Sequence, residues 1–97
     1  MLRTITDKTT QDVYDGIISR YARKLPNDLH GKACRLLDQL NAAPSVEFLR
    51  VPPSNRLEKL KGDLAGYWSL RISDQWRIFF HWEGSDAFDA EIIDYHR

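Results

Sequence analysis

One cysteine, Cys34, is too few for a disulfide within the chain or for a zinc site built on paired cysteines. That scarcity suits a reducing compartment. No apolar run approaches the roughly 20 residues needed to cross a bilayer. The opening Met1-Leu2-Arg3-Thr4-Ile5 also lacks the apolar stretch of a secretory leader. The expectation is a cytoplasmic protein with no membrane partner. Net charge is missing too, with 14 basic residues against 14 acidic ones, so overall charge does not advertise a nucleic-acid partner. No internal repeat or low-complexity tract is present, which argues against a solenoid.

What remains is an ordinary globular balance: 42% hydrophobic and 29% charged over 97 residues, enough for one core and one domain spanning 1–97. The charges are unevenly placed. Between Arg20 and Lys61 nine Lys/Arg stand against four acids, whereas from Gly62 onward three arginines stand against seven acids. A neutral chain so divided can still present a basic face, and it can equally carry a mixed, solvated surface.

The periodicity predicts an α+β fold: two N-terminal helices packed on one face of a small antiparallel β-sheet, with a short N-terminal edge strand at Leu2 to Ile5. Thr10 is placed to cap a first helix whose apolar positions are Val13, Tyr14, Ile17, Ile18 and Tyr21, although Gly16 weakens it. Pro26-Asn27 opens a second helix with the stripe Leu29, Ala33, Leu36, Leu37 and Leu40. Cys34 borders that stripe, as a packing residue and not a nucleophile. Ser45 to Leu49 fits one helical turn, and Val51-Pro52-Pro53-Ser54-Asn55 an extended connection.

Beyond Asn55 the period becomes two. Strands are expected at Leu57 to Lys61, Tyr67 to Ile72, Gln75 to Trp82 and Phe88 to His96, with turns at Gly62 to Gly66, Ser73-Asp74 and Glu83 to Asp86. Alternation sends Trp68, Leu70, Ile72, Trp76, Ile78, Phe80 and Trp82 to the core. It leaves Tyr67, Ser69, Arg71, Arg77, Phe79 and His81 on the face without helices.

Arginine forks that grip phosphate and rings that stack bases suit single-stranded nucleic acid. Lys59 and Lys61 on the neighbouring strand would lengthen the positive strip. The same residues could form a plain solvated sheet face. His30 reads as a helix-surface residue and His81 as a polar strand position. The chain finishes on Asp94-Tyr95-His96, where an imidazole can move a proton at neutral pH and a carboxylate can orient it. Alternation sets Asp94 and His96 on one side and Tyr95 on the other.

Four ordered segments carry a resemblance: Asn55-Arg56-Leu57-Glu58-Lys59-Leu60-Lys61-Gly62-Asp63, Gly66-Tyr67-Trp68-Ser69-Leu70-Arg71, Gln75-Trp76-Arg77-Ile78 and Ile93-Asp94-Tyr95-His96. Together they resemble the HigB toxins, the killer proteins of plasmid maintenance in the RelE/ParE toxin superfamily. The resemblance implies a RelE-like fold and a ribosome-dependent mRNA endonuclease (an mRNA interferase) that cuts codons in the A site and arrests translation and growth. It implies cleavage by the substrate's own 2′-hydroxyl, with no cofactor and no metal. It also implies a helix-turn-helix antitoxin of the HigA kind, through which alone the toxin meets operator DNA.

By the same resemblance Asp94, Tyr95 and His96 match the active-site tail, Arg77 a phosphate-binding arginine and Lys61 a lysine beside the cleft. Arg56, Lys59, Arg71 and Tyr67 join Lys61 as the RNA-binding set. Glu58 departs from relatives that place a catalytic histidine before Leu-Lys-Gly-Asp, so the general base is Glu58, His96 or Asp94, the last alternatively orienting His96. Two other functions suit the chain: a gyrase-targeting toxin of the same fold, and a non-enzymatic RNA-binding module.

Overall fold

The structure is a computed structural model and describes residues 1–95. Helix α1 (Lys8–Asp15) and helix α2 (His30–Ala42) pack on one face of a four-stranded antiparallel sheet. The strands are β1 (Glu58–Lys59), β2 (Tyr67–Arg71), β3 (Trp76–Glu83) and β4 (Asp86–Asp94), ordered β1-β2-β3-β4. Short hairpins make this meander, because the turns at Ser73-Asp74 and Gly84-Ser85 leave little chain between partners.

The core forms where the apolar stripe of α2 meets the inner face of the sheet. Ala33, Leu36, Leu37 and Leu40 are buried there with Leu70, Ile72, Ile78 and Phe80. Trp68, Trp76 and Trp82 pack around this cluster and stay partly exposed. The strand alternation expected for β2 and β3 is therefore the one observed.

Helix α1 differs from its expected form. Asp7, not Thr10, is the N-cap: its carboxylate accepts the Thr10 N–H at 3.4 Å from an extended backbone. Thr10 sits three residues inside, fully buried, where its hydroxyl oxygen accepts the Ile92 N–H at 2.8 Å and ties α1 to β4. The helix stops at Gly16, which takes the left-handed conformation (φ 70°) that closes helix ends. Ile17 and Ile18 thus fall outside it, and Ile18 is 91% exposed.

Two strands also differ. Leu2 and Ile5 lie beside β4 through isolated parallel bridges to Ala87 and Ala90, so the N-terminal segment borders the sheet without a continuous ladder. β1 is only two residues long. Arg56 precedes it in the left-handed region (φ 48°), and the chain turns away into a 3₁₀ turn at Gly62–Leu64. The segment expected to be extended from Val51 to Asn55 contains a short 3₁₀ turn, Pro53–Asn55. It is held by buried Asn55, whose amide donates to Gln39 Oε1 (3.0 Å) and Leu49 O (3.1 Å).

β4 carries a bulge. Phe79 pairs with Glu91 but His81 pairs with Phe88, so Asp89 and Ala90 together oppose Phe80, with Asp89 at φ 56°. The Asp89 N–H donates to Thr4 Oγ at 2.7 Å, which braces the irregularity from the N-terminal segment.

Candidate functional site

The outer sheet face follows from register. Glu58, Ser69, Phe79 and Glu91 form one row across the four strands, and Arg71, Arg77 and Ile93 form the next across β2, β3 and β4. Tyr67 pairs with His81 on the other flank of Phe79. Rings connect these rows: Tyr67 lies 3.8 Å from His81 and 6.3 Å from Phe79 between centroids, and Phe79 lies 6.0 Å from Tyr95. The Arg77 guanidinium lies 5.4 Å from the Tyr95 ring.

This face is less open than expected. Ser69 and Phe79 are buried, and Arg77 is only 8% exposed. Aromatic rings neighbour both Phe79 and Arg77 here. Tyr67 and Tyr95 flank Phe79, and Tyr95 leans over Arg77. The result is an aromatic floor with a pair of arginines at one end and the His81–Tyr67 pair at the other.

The arginine end is electrostatically distinctive. Arg71 and Arg77 are directly opposed, an arrangement that costs energy between like charges. Arg71 is matched by Asp74, whose Oδ1 lies 2.6 Å from its Nη2. Hydrogen bonding and charge from Arg71 hold the Asp74 carboxyl below the ordinary carboxylate range, with smaller contributions from Arg77 and Arg56. Arg77 itself has no ion pair among the described residues. A guanidinium this far from water and lacking a carboxylate is poised for an anion from outside.

Not every expected residue joins this group. Tyr95 does, and Tyr67 and Arg71 share the face. Asp94 pairs with Trp76 and so projects to the side opposite Arg77, where the Gln75 amide donates to its Oδ2 at 3.2 Å. His96 lies outside the described residues. Lys59 was expected to extend the positive strip, but it pairs with Trp68, and its Nζ lies 5.7 Å from that indole on the helix side. The register of two residues decides this, since the next-door Glu58 takes the outer face.

Lys61 is exposed one residue beyond Leu60, whose N–H bonds Tyr67 O at 2.9 Å; its backbone is thereby at the His81–Tyr67 end. Arg56 is exposed at the arginine end and contributes to the field on Asp74. His81 emerges as more than a polar strand position, because its ring stacks on Tyr67 and its Nδ1 meets Gly66 O at 2.9 Å. The Tyr67/His81 spacing on two adjacent predicted strands was the available signal.

Cys34 keeps its expected packing role. Its thiol donates to Val13 O at 3.0 Å, and burial, with Asp38 nearby, pushes its pKa up, away from the thiolate. A hollow of about 180 Å³ among the helices is lined by Val13, Ile17, Ile18, Ala22 and Cys34, away from the arginine pair. Among the described residues no group of three or more His, Cys, Asp or Glu is placed to hold a metal ion. Among the described residues no helix is long and apolar enough to cross a membrane.

A small α+β protein with a bare sheet face of arginines and stacked rings is the class that fold and site define. The model of the HigB-like family, described as the RelE-like toxin of the type II toxin-antitoxin system HigB, matches residues 6–96, and the chain belongs to that family. It is 33% identical to Toxin HigB-1 of Vibrio cholerae over 91 residues, which cover 94% of this chain and 93% of that protein. It is 44% identical to Endoribonuclease HigB of Proteus vulgaris over 41 residues, 42% of this chain and 45% of that one.

Solved structures support the fold alone. A YoeB-YefM complex from Staphylococcus aureus aligns with a TM-score of 0.58 at 20% identity, covering 100% of this chain and 99% of the other. A YoeB/ParE toxin from Agrobacterium tumefaciens aligns with a TM-score of 0.54 at 22% identity, covering 98% and 99%.

Proposed function

We propose that this toxin is a cytoplasmic, ribosome-dependent endoribonuclease that cleaves mRNA in the A site and is silenced by a helix-turn-helix antitoxin. The observation that carries this reading is Arg77: nearly buried, opposed by Arg71, roofed by Tyr95 and without an acidic partner among the described residues. A phosphodiester supplies the missing anion, and the adjoining rings supply surfaces for its bases. A relative named as an endoribonuclease supports the chemistry.

The reaction asks little of the protein beyond charge and proton transfer. A base removes the proton of the ribose 2′-hydroxyl, and that oxygen attacks the neighbouring phosphorus. The bond to the 5′-oxygen of the next nucleotide breaks, leaving a 2′,3′-cyclic phosphate and, once an acid protonates the leaving oxygen, a 5′-hydroxyl. Arg77 and Arg71 stabilise the charge that builds on the phosphorane oxygens. Tyr95 holds the nucleotide against Arg77. His96 gives or takes the proton; Asp94, on the opposite face, is confined to orienting it, and Glu58, on the outer face and nearer Arg71 than Arg77, is the other base. Lys61 and Arg56 steer the RNA backbone at either end.

Induced expression tests this reading. Arg77→Ala and His96→Ala should each relieve growth arrest, Arg77→Ala by lowering cleavage by roughly two to three orders of magnitude. Mapped 5′ ends in wild-type cells should fall within A-site codons. Full toxicity in both variants would sink the assignment, and induced DNA breaks with intact mRNA would point to gyrase instead.

A further inference from the structure

The face contains a second polar feature at the end away from the arginine pair. His81 Nδ1 lies 2.9 Å from Gly66 O. A carbonyl only accepts hydrogen bonds, so the proton is on Nδ1 and, in the neutral ring, Nε2 presents a bare lone pair. Gly66 keeps that carbonyl in place with φ 97°, a conformation costly for any other residue; space is not the reason, since a Cβ would meet the His81 ring at an ordinary 3.6 Å. Tyr67 fixes the ring from one side, with centroids 3.8 Å apart and planes tilted by 38°. Nothing among the described residues bonds Nε2.

An oriented imidazole invites assignment as the general base, and distance argues against it. His81 lies four residues from Arg77 along β3, about 13 Å at about 3.3 Å per residue. A base must come within about 3 Å of its proton. His81 is therefore too far away to act on a ribose whose phosphate is gripped by Arg77. It is well placed to meet the base of a flanking nucleotide, with the partly exposed Tyr67 ring, packed against buried Phe79, as the stacking surface beside it.

We propose that His81 is a specificity residue: Nε2 accepts a hydrogen bond from the exocyclic amino group of a flanking adenine or cytosine and disfavours guanine and uracil, which carry an oxygen there. A lone pair facing that oxygen would be repelled and left unpaired. The inference rests on the RNA-binding reading of this face and adds to it the class of base that is read.

The test uses 2′-O-methyl hexanucleotides, which lack the attacking hydroxyl and cannot be cut. Adenine and inosine hexamers differ at that position as amino against oxygen. Wild-type protein should bind the adenine hexamer roughly three- to ten-fold tighter than the inosine hexamer. The ¹⁵N signal of His81 Nε2 should shift with the former. His81→Phe, which keeps a ring against Tyr67, should bind both equally. Equal binding by wild type, or an Nε2 signal that stays put while RNA binds, overturns the subsite and leaves the RNA-binding reading standing. Failure of every hexamer to bind overturns the subsite on the free protein, while the mapped 5′ ends decide the ribosome-dependent reading separately.

Discussion

Arg71 and Arg77 face one another directly across β2 and β3, and among the described residues only Arg71 has a carboxylate. Asp74, in the turn that joins the two strands, holds Arg71 at 2.6 Å and leaves Arg77 to Tyr95. The turn residue therefore occupies one of two guanidiniums that could otherwise share an incoming phosphate. Being almost wholly exposed, Asp74 can be displaced without unburying a charge.

Removing that competitor should strengthen RNA binding. Asp74→Asn leaves two guanidiniums for the phosphates, so affinity for a short single strand should rise, and its fall with salt should steepen by roughly 0.7 log unit per added phosphate contact. The same variant should melt at a lower temperature, because the Arg71–Arg77 repulsion loses its compensation. Affinities measured at several salt concentrations check the first point; an unchanged slope means that Asp74 and phosphate do not compete.

Acid sensitivity should centre on Asp12. This buried carboxylate accepts from Lys8 Nζ (2.8 Å) and Ser19 Oγ (2.7 Å), which hold its pKa below the ordinary 3.8. A group whose folded pKa is lowered stabilises the fold fully above its unfolded value and loses that contribution as pH falls through the folded one. Wild type should therefore lose stability below about pH 3.8. Asp12→Asn should be less stable near neutrality, with the gap narrowing in acid. Urea denaturation along a pH series measures both; a gap constant with pH would refute the linkage.

The Thr10 hydroxyl should matter more than its methyl. Its oxygen is the acceptor for the Ile92 N–H in a fully buried setting. Thr10→Val keeps the shape and orphans that N–H, at a cost of about 1–3 kcal/mol. Thr10→Ser keeps the oxygen and should cost less. Denaturant midpoints for the two variants decide between hydrogen bonding and packing; a Ser variant no better than Val would favour packing.

Thr10 also shows what the sequence could and could not reveal. As a hydroxyl before an apolar run it reads as a cap, but Asp7 three residues earlier is an equally good cap residue, and local pattern cannot rank them. The long-range bond to Ile92 settles the matter, and it exists only in three dimensions. The faces of β2 and β3 were legible because a period of two survives wherever strands are regular. Lys59 was misplaced because β1 is too short to show a period, and one residue of register reverses its face. The burial of Phe79 and Arg77 was hidden for another reason: alternation reports which side a residue takes, not whether rings from Tyr67 and Tyr95 close over it.

Tyr95 allows its two roles to be separated. Its ring lies 5.4 Å from the Arg77 guanidinium and 6.0 Å from Phe79, so it both positions the cation and extends the aromatic floor. Tyr95→Phe keeps both contacts and loses only the hydroxyl. If positioning dominates, Phe should retain RNA affinity close to wild type, whereas Tyr95→Ala should lose about 1–3 kcal/mol of binding, the range for one base–ring contact. Cleavage then discriminates further. A rate that survives in Phe confines Tyr95 to holding Arg77 and the nucleotide. A rate that collapses in Phe while affinity persists assigns the hydroxyl to the transition state itself, since losing an interaction made only there lowers the rate without weakening binding.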